Sequence, residues 1–424
     1  MLNILKEKSE RILSDRRLMF LMFAVYYAGR TGSYTAFVTQ WPVTDKGFML
    51  LRLLGAMYFG IQTVRIFLHE VMHARHLSEA SGKRMQGANM LFAVLVASLC
   101  VNFIVQGGYT FIADIMSAYV MSYVSLRDNI KLRTFLCFAV CLFIMFLCSA
   151  GILSNLTNTR GNIVRYALGF DYTTRLSGIF GFAVLYCCYL KKFSLEWKDI
   201  LMIVFSALFI NFLTDTRTYF YMELLLALIA VLKKIGTLRK LIRPMKAAEK
   251  LFVFLMPVSF ALPVFMTLAY GQGGIFMKLD KILSHRLSQV YADCVNYGIR
   301  FFGHDFRMYG NGGQHVDITD VFGSNFVDAG TLQLLLIRGV IPFIAIAVMT
   351  YLAFILMYRR KMHYEILLGF IIVMLSTFSA GFMSNESVLF IMMFCGLREY
   401  AKGKPKESGK EALYDEYRPF RTDS

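Results

Sequence analysis

The sequence predicts an all-α, polytopic membrane helix bundle of about twelve transmembrane helices with one large external loop. First, 57% of its 424 residues are apolar and only 17% are charged, whereas soluble domains average about 45–50% and about 25%. Second, the apolar residues form blocks of about 18 residues with few charges, the length that crosses ~30 Å of hydrocarbon. This composition excludes a disordered chain, a disulfide scaffold and an ordinary soluble enzyme.

Each apolar block is expected to be a helix, because every backbone amide inside a bilayer needs a partner within its own segment. The fourth span, which contains Asp114, and the twelfth have the weakest apolar character. Together the spans make the whole chain, 1–424, a single membrane domain. The predicted spans are 17–38, 48–69, 87–107, 109–126, 133–154, 174–190, 198–213, 217–233, 250–270, 329–357, 363–381 and 384–398.

The Lys and Arg residues set the expected orientation, because short cytoplasmic loops carry an excess of them. With the N-terminus inside, most of the 45 basic residues lie in cytoplasmic segments, including the charged tail 399–424. Both termini are therefore predicted to be cytoplasmic. The net charge of +17 then reflects topology, and no nucleic-acid partner is expected.

Ten basic residues nevertheless fall on the predicted external side, and most of them are arginines. The planar guanidinium group suits bidentate capture of phosphate or carboxylate. Because these residues oppose the topological bias, we expect them to bind an anionic substrate; the alternative is that single side chains snorkel to the membrane interface. The ten are Lys46, Arg160, Arg165, Arg175, Arg217, Lys278, Lys281, Arg286, Arg300 and Arg307.

The external segment 271–327 is the only long loop that the hydropathy pattern predicts. It opens with GQGG, contains a helical stretch near 279–301 and then has a Gly-rich polar turn, GHDFRMYGNGGQH. Long loops in compact proteins are usually functional or disordered. We expect a folded loop that packs on the membrane core.

The segment His69-Glu70-Val71-Met72-His73 matches HExxH. On a helix this spacing places two imidazoles one turn apart to hold zinc, with the Glu as base. A catalytic zinc needs a third protein ligand, and no further acidic or His motif lies at a suitable place in a span. The segment also lies at the cytoplasmic end of the second span, where polar residues are tolerated. No metal site is therefore expected, and a membrane zinc protease is a third reading of the function.

Four further patterns follow one another between residues 160 and 341. Each is short, and each contains an arginine beside glycine, aromatic or acidic residues. The patterns are RGNIVRYALGF at 160–170, TDTRTYF at 214–220, Arg286-Leu287-Ser288 leading to Tyr297-Gly298 and Phe302-Gly303-His304, and FVDAGTLQLLLIRGVI at 326–341.

Taken in this order, the patterns resemble the Wzy-type polysaccharide polymerases, the bacterial O-antigen and capsule repeat-unit polymerases of the O-antigen ligase/polymerase superfamily. That family has an RxxLGF segment, an S/T-R turn, an R-L segment leading to Y-G and F-G-H in the large external loop, and a V-D segment opening a later span. The resemblance covers about 160–345. The chain departs from the family at 171–174, where DYTT replaces a His-Pro-Asn stretch, and at Asp328-Ala329, where the family often has Asp-Asn.

The resemblance implies a multi-pass glycosyltransferase of the bacterial plasma membrane. Its expected substrate is a polyprenyl-pyrophosphate-linked oligosaccharide, and the growing glycan would pass to a new repeat unit at the outer face. Membrane lipids, a flippase and chain-length regulator proteins are the expected partners. No cofactor is expected, because arginine can supply the positive charge that stabilises the leaving pyrophosphate.

The resemblance also implies roles for individual residues. Arg165, Arg217 and Arg286 are expected to contact pyrophosphate, with Arg160 in support. An acceptor hydroxyl needs a base or an orienting group.

Asp328 or His304 is expected to be that base. The alternative for Asp328 is a helix N-cap, and the alternative for His304 is a loop hydrogen-bond donor. Arg338 is expected to bind substrate, since a charge inside a span is functional by default. It could instead pair with Asp114 or with a backbone carbonyl.

Two other functions share much of this pattern. An O-antigen ligase-like transferase has the same general plan but uses a different acceptor. A flippase for lipid-linked oligosaccharides belongs to a different class, and it would favour charges deep inside spans and two related halves. Here the charges cluster at one face and no internal repeat is visible, which favours the polymerase.

Overall fold

The structure is a computed structural model that describes residues 16–74, 79–160, 162–235, 245–282, 285–305, 327, 329–377, 379 and 386–402. Helices dominate these residues. They are α1 (Arg16–Gly32), α2 (Ala36–Gln40), α3 (Val43–Ala74), α4 (Glu79–Gln106), α5 (Thr110–Met121), α6 (Leu126–Ser149), α7 (Thr173–Leu190), α8 (Trp197–Thr214), α9 (Arg217–Lys234), α10 (Met245–Ala269), α11 (Ile275–Ile282), α12 (Arg286–Tyr297), α13 (Gly330–Gln333), α14 (Val340–Arg359), α15 (His363–Ser376) and α16 (Leu389–Lys402).

Seven of these helices are long and apolar enough to cross a membrane by length and composition: α3, α4, α6, α7, α8, α10 and α14. Two shorter helices, α5 and α15, are also apolar. The all-α membrane helix bundle that the sequence predicts is thereby confirmed. The count of twelve spans stays a prediction.

The outward face of α8 shows why the bundle belongs in a membrane. Leu201, Met202, Phe205, Leu208 and Phe212 lie along this helix with 54–82% of their surface exposed. A soluble protein rarely exposes a contiguous apolar surface of this size. In a bilayer the same side chains contact lipid tails and need no protein partner.

Close helix packing depends on small residues, as is usual in membranes. A Cβ atom on Gly29 of α1 would lie 2.7 Å from the backbone nitrogen of Arg52 on α3, and one on Gly55 would lie 2.5 Å from Cβ of Tyr26. These two glycines let α1 and α3 approach closely. Tyr26 is fully buried there, and its ring packs edge-on against Phe59 at 6.2 Å.

A short β-hairpin was not predicted. It lies between α6 and α7, and its antiparallel strands are β1 (Thr157–Arg160) and β2 (Ile163–Tyr166). Backbone hydrogen bonds tie the segment after β2 to the segment after α1: the Ala36 amide donates to Gly169 and the Asp171 amide donates to Tyr34. The ends of α1 and α6 therefore meet at the hairpin, and we call this end of the bundle the hairpin end.

The described part of the long loop contains two α-helices, α11 and α12, where the sequence predicted one helical stretch near 279–301. The break falls at His285, whose φ of +63° puts it in the left-handed region. Asp280 then accepts the amides of Leu287 and Ser288 at 2.9 and 3.1 Å and so caps the start of α12. α12 packs against α10, which confirms that this part of the loop is folded onto the bundle.

Candidate functional site

The hairpin carries Arg165 to the end of α8. Its side chain is buried, with 6% of its surface exposed. The Nε atom donates a hydrogen bond to the backbone carbonyl of Thr214 at 2.7 Å. Thr214 is the last residue of α8 and opens the TDTR turn. The structure thus joins two patterns that lie about 50 residues apart in the sequence.

The LGF segment explains how the hairpin is held. Leu168 and Gly169 both have positive φ values, +52° and +89°. A Cβ atom on Gly169 would lie 2.9 Å from Cγ2 of Ile144 and 3.1 Å from the Ile144 carbonyl oxygen. The following ring, Phe170, is fully buried. The glycine therefore lets the chain turn tightly against α6, and the phenylalanine anchors the hairpin in the core.

Two other predicted arginines of this region, Arg217 and Arg175, are exposed. Arg217 is exposed and is the first residue of α9. It lies three residues after Thr214, whose carbonyl accepts the hydrogen bond from Arg165. Arg160 ends β1 opposite Ile163, and its side chain lies outside the described residues. Arg175 packs over the ring of Tyr34 at 4.1 Å.

A partly buried carboxylate accompanies Arg175. The Nε atom of Arg175 lies 3.7 Å from Oδ1 of Asp171, which is an ion pair without a hydrogen bond. Burial raises the pKa of the Asp171 carboxyl, and the charge of Arg175 opposes that rise. Asp171 occupies the first position at which the chain departs from the family pattern.

The FGH and IRG segments lie side by side. The amides of Val340 and Ile341 donate to the carbonyls of Arg300 and Phe301 at 3.0 and 3.2 Å. The side-chain amide of Asn102, on α4, donates to the carbonyls of both segments: Phe302 at 2.7 Å and Ile337 at 2.8 Å. Asn102 therefore fixes the end of the described loop against the start of α14.

His304 is buried at this junction, with 6% of its surface exposed. Its Nε2 atom lies 3.0 Å from the Gly298 carbonyl, which can only accept, so Nε2 carries the proton and Nδ1 is the free acceptor. Burial, followed by the charge of Arg300, lowers the pKa of the imidazole. Both effects favour the neutral imidazole. The hydrogen bond matches the loop-donor alternative, and the basic Nδ1 leaves the catalytic reading open.

Arg338 ends a π-helical turn, Leu334–Arg338, that precedes α14. Its Nη1 atom donates to the side-chain oxygens of Asn102, at 3.2 Å, and Gln106. The guanidinium also packs over the ring of Phe111 at 4.8 Å. Arg338 therefore donates to two neutral amides. Among the described residues, neither Asp114 nor a backbone carbonyl accepts a hydrogen bond from it, and Asp114 acts on it through charge at longer range.

Asp114 instead pairs with Arg30, a residue that the sequence analysis did not select. Arg30 Nη2 lies 3.1 Å from Asp114 Oδ2, and the two side chains are only 14% and 5% exposed. Tyr26 donates to the other oxygen of Asp114 at 2.6 Å. Arg30 lies within the predicted span 17–38. Arg338 was selected because a charge inside a span is functional by default, and the same rule would have selected Arg30.

Two predicted residues of the long loop are placed differently. Arg286 begins α12 and is half-buried, close to the Asp280 cap. Asp328 lies outside the described residues. The N-cap of the helix that follows it, α13, is Ala329, and both roles expected of Asp328 stay predictions.

The start of α13 is tied to α9 through one residue of the loop between α15 and α16. The Gly330 amide donates to the Ser379 carbonyl at 3.3 Å, and Ser379 Oγ lies 3.2 Å from the hydroxyl of Tyr219. Tyr219 belongs to the TDTRTYF pattern, and Gly330 to the VDAG pattern. Three of the four patterns therefore meet through Arg165, Tyr219 and Gly330.

The HEVMH segment has a different environment. Glu70 accepts hydrogen bonds from Tyr119, at 2.7 Å, and from Tyr123. The rings of His69 and His73 stack on each other at 6.1 Å. Across the ranges that the structure describes, no three His, Cys, Asp or Glu side chains form a group that could hold a metal ion. A zinc protease would use Glu70 as its base. In this structure Glu70 instead links α3 to α5 through the hydrogen bond from Tyr119.

No protein-family model matches the chain, and neither a curated protein nor a solved structure matches it.

Proposed function

We propose that this protein is a polysaccharide repeat-unit polymerase of the bacterial plasma membrane. It joins polyprenyl-pyrophosphate-linked oligosaccharides into a surface polysaccharide such as capsule, exopolysaccharide or O-antigen. The observation that carries the proposal is the hydrogen bond from Arg165 to Thr214, which brings the RxxLGF and S/T-R patterns together. Arg165 and Arg217, which come from these two patterns, therefore lie at the same end of the bundle.

The connectivity supports a twelve-span topology with both termini in the cytoplasm. Helices α1, α3 to α10 and α14 to α16 would be the spans, and the short helices α2 and α11 to α13 would lie in external segments. In this arrangement the hairpin, the TDTR turn and the long loop all face outside. The basic turns at Lys191-Lys192 and Arg359-Arg360-Lys361 face the cytoplasm, as the positive-inside rule requires.

The chemistry needs few protein groups. Polyprenyl pyrophosphate is already a good leaving group, so the enzyme must hold two substrates, stabilise the leaving charge and help to deprotonate an acceptor hydroxyl. Arg165 and Arg217 supply positive charge at the hairpin end. The neutral imidazole of His304 offers Nδ1 as a proton acceptor, and Asp328 is the second candidate for that role.

A glycan ladder from a deletion strain tests the function. Loss of the gene should leave products of one repeat unit on the outer surface, because export continues and polymerisation stops. Accumulation of precursor that faces the cytoplasm would instead support a flippase. Normal polymer that stays on its lipid carrier would support a ligase.

A single substitution tests the site. Arg217→Ala should abolish long-chain glycan at normal protein level while single lipid-linked repeats still appear outside. The matched control is Lys198→Ala, because Lys198 is a highly exposed basic residue at the opposite end of α8. Full-length polymer from the Arg217 variant would remove Arg217 from the proposed site.

A further inference from the structure

Arg338 forms no direct ion pair with an acidic side chain in the part of the chain that the structure describes; Asp114 acts on it only at longer range, because that carboxylate is paired with Arg30. Its hydrogen bonds go to Asn102 and Gln106, which are neutral. Its Nε atom is buried and has no hydrogen-bond partner among the described residues. Buried charges in proteins are normally paired, because an isolated ion loses its hydration. A bound anion would supply the countercharge and the hydrogen-bond acceptor for Arg338.

A second guanidinium lies beside the first. Arg30 pairs with Asp114, and Arg338 packs over Phe111. Phe111 and Asp114 are three residues apart on α5, so their side chains lie on one face of the helix, about one turn apart. The two arginines therefore approach the same face of α5. With one carboxylate between them, the group has a net charge of +1.

Arg30 also has hydrogen-bonding capacity left. Its Nη1 and Nη2 atoms donate to Tyr34 and Asp114, while its Nε atom is buried with no partner among the described residues. Each arginine thus keeps an unused, buried N–H donor. Two planar guanidinium groups with free donors are suited to an anion that has several oxygens, such as a diphosphate.

The surface next to this group is apolar and faces outward. Phe103, Ile104 and Val105 immediately precede Gln106 on α4, and they are 41%, 81% and 44% exposed. In a bilayer these side chains contact lipid tails. An anion that reaches Arg338 past Gln106 can therefore remain attached to a hydrocarbon chain that lies against α4.

We infer that Arg30 and Arg338 form a binding site for the diphosphate group of a prenyl-linked lipid, with the tail lying along the exposed end of α4. The inference rests on the proposed function for the identity of the lipid. It adds a diphosphate site at the junction of α1, α4, α5 and α14, formed by residues other than Arg165 and Arg217. Asp114 holds Arg30 in position and limits the net charge of the site.

Binding of short analogues to the full-length protein in lipid nanodiscs tests the site. The probes are farnesyl pyrophosphate and inorganic pyrophosphate, measured by calorimetric titration. Farnesyl pyrophosphate should bind saturably and at least tenfold more tightly than inorganic pyrophosphate, since the tail contributes. Equal affinity for the two probes would overturn the assignment to a lipid.

Three substitutions test the residues. Arg338→Gln should weaken farnesyl pyrophosphate binding at least tenfold, and Arg52→Gln should change it less than twofold. Arg52 is the matched control, because it lies at the same end of the bundle and pairs with Asp45. Asp114→Asn should leave binding unchanged or make it tighter, because it raises the positive charge of the site.

A purely structural role for these residues would give a different result. Asp114→Asn and Arg338→Gln would then both lower the melting temperature, and neither would change the affinity per folded molecule. That outcome would overturn the inference. If Arg338→Gln does not fold, Arg338→Lys decides: it keeps the charge but loses the planar donors, so binding should weaken at least threefold, and unchanged binding would contradict the site.

The outcomes for site and function are separable. Saturable binding that Arg338→Gln leaves unchanged, with normal polymer in cells, would refute the site and leave the polymerase. Binding that depends on Arg338, in a protein whose deletion leaves the glycan ladder unchanged, would refute the polymerase and leave the site.

Discussion

Gly303 packs directly against the backbone of Ile337: a Cβ atom on Gly303 would lie 2.6 Å from the Ile337 carbonyl carbon. Gly303 also has a φ of +77°, which side chains other than glycine rarely adopt. The contact holds the FGH segment of the long loop against the turn that carries Arg338. His304 on one side and Arg338 on the other therefore keep a fixed relative position.

Gly303→Ala should destabilise this junction by about 1–3 kcal/mol, because the added methyl group forces the two backbones apart. Thermal unfolding in detergent measures the effect. Gly87→Ala is the control, since a Cβ atom at Gly87 would meet nothing within 4 Å and alanine favours the helix. Equal melting temperatures for both variants would contradict the described packing.

Arg165→Lys should lower polymer yield at least tenfold. Lysine keeps the positive charge but loses the planar donor that reaches the Thr214 carbonyl, so the hairpin would no longer be fixed to the TDTR turn. Glycan ladders at matched protein levels measure this effect. A normal ladder from the lysine variant would show that charge alone suffices at this position.

Glu70→Gln should destabilise the protein by about 1–3 kcal/mol, because the hydroxyls of Tyr119 and Tyr123 lose a charged acceptor. His69→Ala should leave glycan length unchanged. Measurement of bound zinc in the purified protein accompanies these variants. Stoichiometric zinc that is lost in the His69 variant would support the protease reading instead.

Asp293→Asn should stabilise the protein at neutral pH. Burial raises the pKa of Asp293 to about 6, from an ordinary value of 3.8. Between these values the folded state holds a proton that the unfolded state releases, so stability falls as pH rises through this window.

The Asp293→Asn variant lacks this titrating carboxyl. Its melting temperature should therefore equal that of the unaltered protein near pH 4, and should exceed it most above pH 6. Thermal unfolding across pH 4 to 8 measures the difference. An advantage that is the same at pH 4 and pH 8 would contradict the assignment to the Asp293 carboxyl.

Hydropathy and length were sufficient to predict the helical membrane bundle. They act locally, since each apolar block must satisfy its own backbone inside a bilayer. The hairpin was not predictable in this way, because its strands have four residues each and its burial pattern shows no clear alternation. The break at His285 was also hidden, since a positive φ is uncommon for any residue other than glycine, and no Gly or Pro marks this part of the sequence.

The candidate site was predictable only in part. Arg165 and Arg217 were selected from separate patterns, and the structure brings their segments together through Thr214. The pair of Arg30 with Asp114 joins residues 84 positions apart. A sequence shows that each is a charge inside an apolar block, but not which helices are neighbours, so it could not reveal this pair.

Reconstitution of the purified protein tests the central claim most directly. The protein is placed in nanodiscs with a synthetic polyprenyl-pyrophosphate-linked repeat unit, and the products are separated by length. We predict a ladder of two or more repeats, with one polyprenyl pyrophosphate released for each new linkage. If the substrate remains as single repeats and no free polyprenyl pyrophosphate is released, the proposed polymerase function is contradicted.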